Sequence, residues 1–215
     1  MDGVLKMIEL KKRSDIHWAR KIWHMAGVSF IAVLYAFIPE RISLILLLTS
    51  FLIFVPMDIF RQRYEWFNQF MVAFFRPILR QSEVHRLAGT SYLLTGVLIV
   101  AFLFPRPIVQ MTLLFLAFAD PLASYVGIRY GKDKIFRHKS LQGTLTALFV
   151  CAVICFIYLY THNILVDHIF GVSLAAGIIG ALSELIPVGK LDDNLTLPVL
   201  SASALWLMFY LLGAL

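Results

Sequence analysis

The sequence has few charged residues and very few cysteines. Only 15% of its 215 residues are Asp, Glu, Lys or Arg, while 60% are hydrophobic. Soluble domains are nearer about 45–50% apolar, so a soluble globular class is excluded. Cys151 and Cys155 both fall inside an apolar run, where they indicate packing rather than a disulfide framework. Repeats, linkers and low-complexity tracts are also missing, which predicts one integral-membrane domain over residues 1–215.

Seven apolar segments are each near the roughly 20 residues that a helix needs to cross the hydrocarbon core. They cover residues 22–38, 42–58, 87–104, 107–128, 142–160, 164–184 and 195–214. Because these runs are continuous rather than alternating, they favour helices over a β-barrel. The predicted fold is an all-α, polytopic membrane helical bundle with seven transmembrane helices.

The basic residues are distributed unevenly between the predicted loops. With the N-terminus in the cytoplasm, 17 of the 19 Lys and Arg lie inside, and Arg41 and Arg106 lie outside. The positive-inside rule therefore predicts a cytoplasmic N-terminus and explains the net charge of +6 without a nucleic-acid partner. Nearly all non-helical sequence is then cytoplasmic. We expect an integral membrane protein with a cytoplasmic active face, in the inner (plasma) membrane if the source is bacterial or archaeal.

Two segments are predicted to lie on the membrane rather than cross it. Residues 1–20 are charged but carry apolar residues at helical spacing, which is typical of an amphipathic surface helix. Within Arg61–Gly89, the segment WFNQFMVAFFRPILR is apolar on one side and too short to span with its arginines. An interfacial or re-entrant helix is therefore predicted between spans two and three.

Asp120 is an acid inside the apolar run Met111–Val126. A carboxylate at membrane depth costs about 2.5–3.5 kcal/mol on insertion scales, so it is rarely placed there without a use. Ser124, Gly127 and Gly131 follow it on one helix face. The glycines alone fit a helix-packing seam, but a seam needs no carboxylate, whereas phosphate-bound Mg²⁺ takes one or two. We predict Asp120 as the principal Mg²⁺ ligand, with the small residues beside the nucleotide.

A basic loop follows and leads into the next helix. Its candidate residues for binding the triphosphate are Lys132, Lys139, Ser140, Gly143 and Thr144. The positive-inside rule alone accounts for the lysines, but not for the hydroxyls and the glycine that open the helix. Exposed N–H groups and hydroxyls at a helix N-terminus bind phosphate. Because no GxxxxGK[ST] motif occurs, P-loop mechanics do not apply.

Ionisable groups near the first and third spans map to the same predicted inner face. Arg20, Lys21 and His24 share one helical flank, where the Arg-Lys pair serves either as a topological anchor or as a phosphate site. His24 is either a structural histidine or a catalytic one. Glu83 precedes the third span, and a carboxylate beside low-dielectric lipid is expected to have a raised pKa. We predict Glu83 as the general base, with His24 as the competing candidate.

Acidic and amide residues also bracket the turns that end the second and sixth spans. Asp58-x-x-Arg61 is predicted to form a local ion pair. Glu184 and Asp193 flank the turn before the last span and are predicted to supply the second half of the metal site. Asp193 or Asn194 also fits the N-cap of the last helix, and Asn194 is a candidate nucleotide contact.

The joint pattern resembles the CTP-dependent lipid kinase family, which includes dolichol kinase, phytol kinase and the CTP-using diacylglycerol kinases. The resemblance covers residues 20–200 and rests on these blocks: Arg20-Lys21-x-x-His24, Asp58-x-x-Arg61, Glu83 with Gly89-Thr90, Asp120-Pro121-x-Ala123-x-x-x-Gly127-x-x-x-Gly131-Lys132, Lys139-Ser140-x-x-Gly143-Thr144, Glu184 and Asp193-Asn194-x-Thr196-x-Pro198. Gln142 departs from the pattern, since the resemblance leads us to expect an acid there.

The resemblance implies transfer of the γ-phosphate of CTP to the hydroxyl of a lipid alcohol, with Mg²⁺ as cofactor. The products would be a lipid phosphate and CDP, and the acceptor either a polyprenol or phytol-type isoprenoid or diacylglycerol. It also implies distant kinship with phosphatidate cytidylyltransferases.

Two alternative functions follow from the same residues. A cytidylyltransferase-like enzyme would make a CDP-lipid, although the long acidic C-terminal signature of those enzymes is not seen. A small transporter also uses intramembrane acids, but transporters place them near the midplane, often within repeats. Here the charges collect at one face. No feature of the sequence indicates an oligomeric state.

Overall fold

The computed structural model describes residues 16–136, 139–186, 188–189 and 191–215. Helices dominate these ranges, and 3₁₀ turns at Gln81–Glu83 and Val166–His168 supplement them. The α-helices are α1 (Trp18–Phe37), α2 (Glu40–Arg63), α3 (Glu65–Phe74), α4 (Gly89–Leu103), α5 (Arg106–Leu114), α6 (Asp120–Arg129), α7 (Leu141–His162), α8 (Ile169–Leu185) and α9 (Asp193–Leu211). Most of the predicted surface helix over residues 1–20 lies outside the described residues.

Each predicted apolar segment contains a helix, and five helical stretches are long and apolar enough to cross a membrane. These five are Glu40–Arg63, Arg106–Arg129, Leu141–His162, Val166–Leu185 and Asp193–Leu211. The helix α4 is apolar but has 15 residues, and α1 has 20 residues with Arg20 and Lys21 in its first turn. The protein is an integral membrane helical bundle. The number of seven crossings and the cytoplasmic N-terminus stay predictions.

Small residues let the helices of the bundle approach closely. Helices in lipid gain little from burying apolar surface, so close packing stabilises their association. In α8, a Cβ on Gly177 would lie 2.7 Å from the carbonyl oxygen of Leu148, and a Cβ on Gly180 would overlap Cys151. Cys151 and Cys155 are free and buried against this face, which confirms that they pack rather than form a disulfide.

The predicted span 107–128 is not a continuous α-helix. Phe115–Ala119 forms a π-helical turn between α5 and α6, immediately before Asp120. Pro121 has no backbone N–H to donate to the preceding turn, and a wider turn accommodates this loss. Such π-helical turns occur frequently at functional sites. Asp120 is the first residue of α6 directly after this turn.

The helical bundle contains one short β-ribbon that the sequence did not indicate. Strands β1 (Lys134–Phe136) and β2 (Lys139–Ser140) pair antiparallel, with Lys134 opposite Ser140, where the sequence indicated a basic loop. The ribbon delivers Ser140 to the start of α7, where its Oγ accepts a hydrogen bond from the Gly143 N–H at 3.2 Å. The paired backbone therefore fixes the start of α7 and the position of Lys139.

Helix α3 stands where the interfacial helix was predicted. One face, with Asn68, Met71 and Val72, is buried against the bundle, while Trp66 and Phe70 are exposed. This division agrees with an amphipathic helix, and its position at a membrane interface stays a prediction.

Candidate active site

The predicted ion pair between Asp58 and Arg61 is confirmed, and it fixes the loop before α4. Arg61 Nε donates to Asp58 Oδ1 at 2.5 Å, and both side chains are buried. Asp58 Oδ2 accepts from the backbone N–H of Ala88 at 2.8 Å. The guanidinium also donates to the carbonyl oxygens of Glu83, Val84 and Arg86. The loop between α3 and α4 is thus held on the end of α2.

This loop presents Glu83 to Arg20. The two guanidinium nitrogens Nη1 and Nη2 donate to Glu83 Oε2 and Oε1 at 2.6 and 2.8 Å. The same carboxylate oxygens accept the backbone N–H groups of Arg80 at 3.0 Å and Gly89 at 3.1 Å. A bidentate Arg–carboxylate pair with these additional bonds is strong and directional.

The predicted raised pKa of Glu83 is wrong. Burial alone raises the pKa of this carboxyl, but the charge of Arg20 and the hydrogen bonds outweigh burial, so the pKa lies below its ordinary value. The sequence analysis considered the surrounding lipid and missed a partner 63 residues away. Glu83 holds Arg20 and the loop in place.

A polar cleft of about 50 Å³ lies between the start of α1 and the start of α6. Lys21 Nζ donates to Ser124 Oγ at 2.8 Å and to the Pro121 carbonyl at 3.2 Å. Burial lowers the pKa of Lys21 to about 8, although the charge of Asp120 opposes this effect. The structure therefore brings together three predicted site residues, Lys21, Asp120 and Ser124.

His24 lies at the edge of this cleft in a fixed orientation. Its Nε2 is 2.9 Å from the carbonyl oxygen of Leu116, within the π-helical turn, and 3.9 Å from Asp120 Oδ2. Since a carbonyl oxygen only accepts, Nε2 donates to it, and Nδ1 is the ring nitrogen that can accept a proton.

A larger apolar cavity of about 560 Å³ lies beside the cleft, bounded by α1, α2, α4 and the loop after α3. Its charged side chains gather at the end near the start of α1, where Asp58 and Glu83 line it. Arg20, His24 and Asn194 line both the cleft and the cavity. These three residues form the shared wall between a polar site and an apolar one.

Lys139 joins the two predicted acids at the end of the bundle. Its Nζ donates to Glu184 Oε1 at 2.5 Å and to Asp193 Oδ2 at 3.1 Å. Burial lowers the pKa of Lys139, but the charges of Glu184, Asp193 and Asp120 outweigh this effect and raise it above its ordinary value. The charge of Asp120 thus acts on this cluster.

The N-cap of α9 is Asp192, so the prediction of Asp193 or Asn194 is wrong. The Asp192 side chain accepts from the Asn194 backbone N–H at 3.1 Å. Asp193 does not cap the helix, and its carboxylate accepts from Lys139. Asn194 Nδ2 donates to the Gly89 carbonyl at 3.3 Å. Asn194 thereby ties α9 to the start of α4 at the shared wall.

The residues present fit Mg²⁺ only with ligands from a second molecule. Within the described ranges, no three His, Cys, Asp or Glu side chains are grouped to hold a metal ion. The ammonium group of Lys139 already binds both Glu184 and Asp193. Mg²⁺ commonly uses one or two carboxylates together with substrate phosphates and waters. Asp120, whose side chain is 20% exposed in the cleft, meets that requirement.

The glycines of α6, of α7 and of the segment just after α6 pack against their neighbours. A Cβ on Gly127 would lie 3.1 Å from Ser140 Oγ, and a Cβ on Gly143 would lie 2.9 Å from the Ala123 carbonyl oxygen. A Cβ on Gly131 would lie 2.7 Å from Ser140 Cβ. The packing interpretation accounts for these positions, while their contact with a nucleotide stays a prediction.

The remaining residues predicted to bind triphosphate do not line the cleft. Lys132 is exposed, and Ser140 is buried as the cap of α7. Within the part of the chain that the structure describes, the buried Thr144 Oγ1 has no hydrogen-bond partner.

His17 and Arg80 line the cleft but were not singled out from the sequence. Arg80 precedes Glu83 by three residues, and this pair forms a reciprocal cap on the 3₁₀ turn. His17 is the N-cap residue of α1 and lies three residues before Arg20. The sequence signal for both residues was their spacing of three residues from Arg20 and Glu83, which form an ion pair.

These features define a polytopic membrane protein whose polar, cation-lined cleft shares a wall with an apolar cavity. The chain belongs to the CTP-dependent lipid kinase family, as its similarity to known proteins shows. It is 36% identical over 162 residues to CTP-dependent diacylglycerol kinase 1 of Schizosaccharomyces pombe, covering 70% of this chain and 74% of that protein.

Two further relatives carry the same name. The protein from Eremothecium gossypii is 30% identical over 206 residues, covering 85% of this chain and 64% of the relative. The protein from Saccharomyces cerevisiae is 27% identical over 208 residues, covering 85% and 70%. No family model matches the chain, and no solved structure matches it.

The pair of Arg20 and Glu83 makes stability depend on acid pH. Because the folded-state pKa of Glu83 is depressed, its contribution is present at neutral pH and is lost as pH falls below the ordinary Glu value of about 4.3. We expect the melting temperature of Glu83→Gln in detergent to lie below wild type at neutral pH, and the difference to shrink below about pH 4.

The matched control is Glu65→Gln, in the exposed first turn of α3. This variant should follow the wild-type melting profile across the same pH series. A constant difference between wild type and Glu83→Gln at every pH would contradict the assignment.

Proposed function

We propose that this protein transfers the γ-phosphate of CTP to the hydroxyl of diacylglycerol, giving phosphatidate and CDP, with Mg²⁺ as cofactor. The family supports the reaction type, and the names of three relatives support diacylglycerol among the lipid alcohols. The observation that carries the proposal is the shared wall of Arg20, His24 and Asn194. A reaction between a soluble nucleotide and a lipid needs one polar and one apolar site that meet.

The triphosphate of CTP would lie at the cleft. Lys21 and Arg80 line this cleft and carry charge toward it, and Lys132 is exposed near the end of α6. Asp120 would hold Mg²⁺, which when bound neutralises charge on the β- and γ-phosphates. Phosphoryl transfer depends mainly on positioning and charge neutralisation, and these residues supply both.

The hydroxyl of the acceptor would lie at the shared wall. Its oxygen attacks the γ-phosphorus, the bond between that phosphorus and the bridging oxygen breaks, and CDP leaves with the electron pair. The proton passes to Nδ1 of His24, whose Nε2 is held by the Leu116 carbonyl. Because the Glu83 carboxylate is bound to Arg20 and to two backbone N–H groups, we assign it to positioning Arg20.

Labelled CTP distinguishes the candidate reactions directly. Purified protein with γ-labelled CTP, Mg²⁺ and diacylglycerol should place the label in phosphatidate. Label in released pyrophosphate, with a CDP-lipid as product, would instead show a cytidylyltransferase. Uptake into vesicles without any phosphoryl transfer would show a transporter.

Asp120→Asn should lower kcat/KM about a hundredfold or more, because losing a charged group that stabilises the transition state costs about 3–4 kcal/mol. Folding should be retained, as judged by size-exclusion profile and melting temperature. Asp167→Asn, in the exposed 3₁₀ turn before α8, is the control and should retain wild-type activity. Full activity of Asp120→Asn at saturating Mg²⁺ would exclude the metal role.

His24→Gln should lower kcat by about 10²-fold or more with little change in the KM for CTP, because a general base contributes about 10²–10⁴-fold. Glu83→Gln should raise the KM for CTP as well, because Arg20 loses its anchor. Steady-state kinetics at several CTP concentrations separate the two patterns. A pure kcat loss for Glu83→Gln, with His24→Gln near wild type, would restore Glu83 as the base.

Lys139 is proposed to contact the triphosphate while it balances Glu184 and Asp193. Breaking a buried ion pair typically costs about 3–5 kcal/mol. Lys139→Met should destabilise the protein by less than this, because the Lys139 side chain is 23% exposed. It should also raise the KM for CTP without changing lipid dependence.

The double variant Lys139→Met/Glu184→Gln separates the two roles of Lys139. Removing one charge of each sign should recover the melting temperature but leave the KM for CTP raised. Recovery of both quantities would show that Lys139 is structural.

A further inference from the structure

The apolar cavity is elongated along two helices. It follows α1 from Arg20 to Tyr35 and α2 from Asp58 back to Ser43, and these two helices scarcely touch each other. Fifteen residues of helix at 1.5 Å per residue make it about 22 Å long. A volume of about 560 Å³ spread over that length has room for one extended hydrocarbon chain.

One end of the cavity is polar and shares its wall with the cleft, and the other end is closed by buried residues. Tyr35 and Ser43, at the closed end, are 1% and 4% exposed. Their hydroxyl oxygens are buried and have no hydrogen-bond partner among the described residues. Arg106 donates to the Tyr35 carbonyl at 2.7 Å and lies over its ring, which fixes this end.

One side of the cavity is open to the outside of the bundle. Trp23, Phe30 and Phe54 line it and are exposed, as expected for apolar side chains that contact lipid. Gly27 also lines the cavity, and a Cβ placed on it would meet no atom within 4 Å. A side chain added at Gly27 would therefore enter open space at the cavity.

We infer that this cavity binds a single hydrocarbon chain of the acceptor lipid and selects that chain by length. The acceptor hydroxyl lies at the shared wall, one chain follows α1 past Gly27 toward Tyr35 and Ser43, and a second chain stays in the bilayer through the open side. The inference rests on the proposed function for the identity of the lipid, but the groove itself is testable without catalysis.

Gly27→Leu tests the groove by filling it partway. Gly27 is seven residues from Arg20, or about 10 Å along the helix, which leaves room for an octanoyl chain but not an oleoyl chain. We expect kcat/KM for dioleoylglycerol to fall about tenfold or more, with that for dioctanoylglycerol within about twofold of wild type. The KM for CTP should not change.

The matched control is Gly171→Leu in α8. Gly171 is also a helical glycine whose added Cβ would meet no atom within 4 Å, and it does not line the cavity. This variant should leave the activities with both acceptors at wild-type values. Equal losses for the two acceptors in Gly27→Leu, or no loss for either, would overturn the inference.

Photolabelling measures chain binding without catalysis. A long-chain diacylglycerol with a diazirine at the end of one acyl chain, added without CTP, should label peptides near Tyr35 and Ser43. Gly27→Leu should abolish that labelling, and Gly171→Leu should not. Labelling that ignores Gly27 would overturn the groove even if the enzyme is an active kinase. Gly27-dependent labelling without any phosphoryl transfer would support the groove and overturn the proposed function.

Discussion

The bidentate pair between Arg20 and Glu83 is the interaction on which the site depends. A guanidinium removed from water needs a carboxylate partner and further acceptors, and Glu83 and the Ile78 carbonyl supply them. Glu83 is held in position because the Arg61 guanidinium donates to its backbone carbonyl oxygen and so anchors the loop that carries it. The start of α1 is thereby docked against the loop before α4. Arg20 consequently stands between the two cavities, and the neighbouring Lys21 reaches Ser124.

The parts of the fold that could be predicted are those with a local signal. A continuous apolar run indicates a helix in lipid because every backbone polar group must be satisfied within the segment. The ion pair of Asp58 and Arg61 followed from an i, i+3 spacing. The π-helical turn had a weaker signal, Pro121, whose missing N–H disturbs a regular helix. The pairing of Arg20 with Glu83 had none, since contacts between distant segments depend on how helices pack.

The residues of the candidate site also differ in how well the sequence predicted them. Asp120, Ser124 and Lys21 were chosen for their chemistry and lie together in the cleft. Glycines were ambiguous because the missing side chain that admits a ligand also admits another helix, and here Ser140 and Ala123 occupy that space. The roles of charged groups were harder to predict, because they depend on which partners the fold brings within hydrogen-bonding distance. Lys139 is the clearest example, since it binds two acids that were expected to hold metal.

The open side of the apolar cavity determines how an acceptor lipid reaches the enzyme. An acceptor that enters between α1 and α2 arrives by diffusion in the plane of the bilayer and never crosses water. Its effective concentration is therefore the fraction of the membrane surface that it occupies, not the amount per volume of solution. Adding inert phospholipid would slow the reaction even when every other concentration stays constant. The composition of the host membrane thus becomes a control on the rate, acting through a gap between two helices.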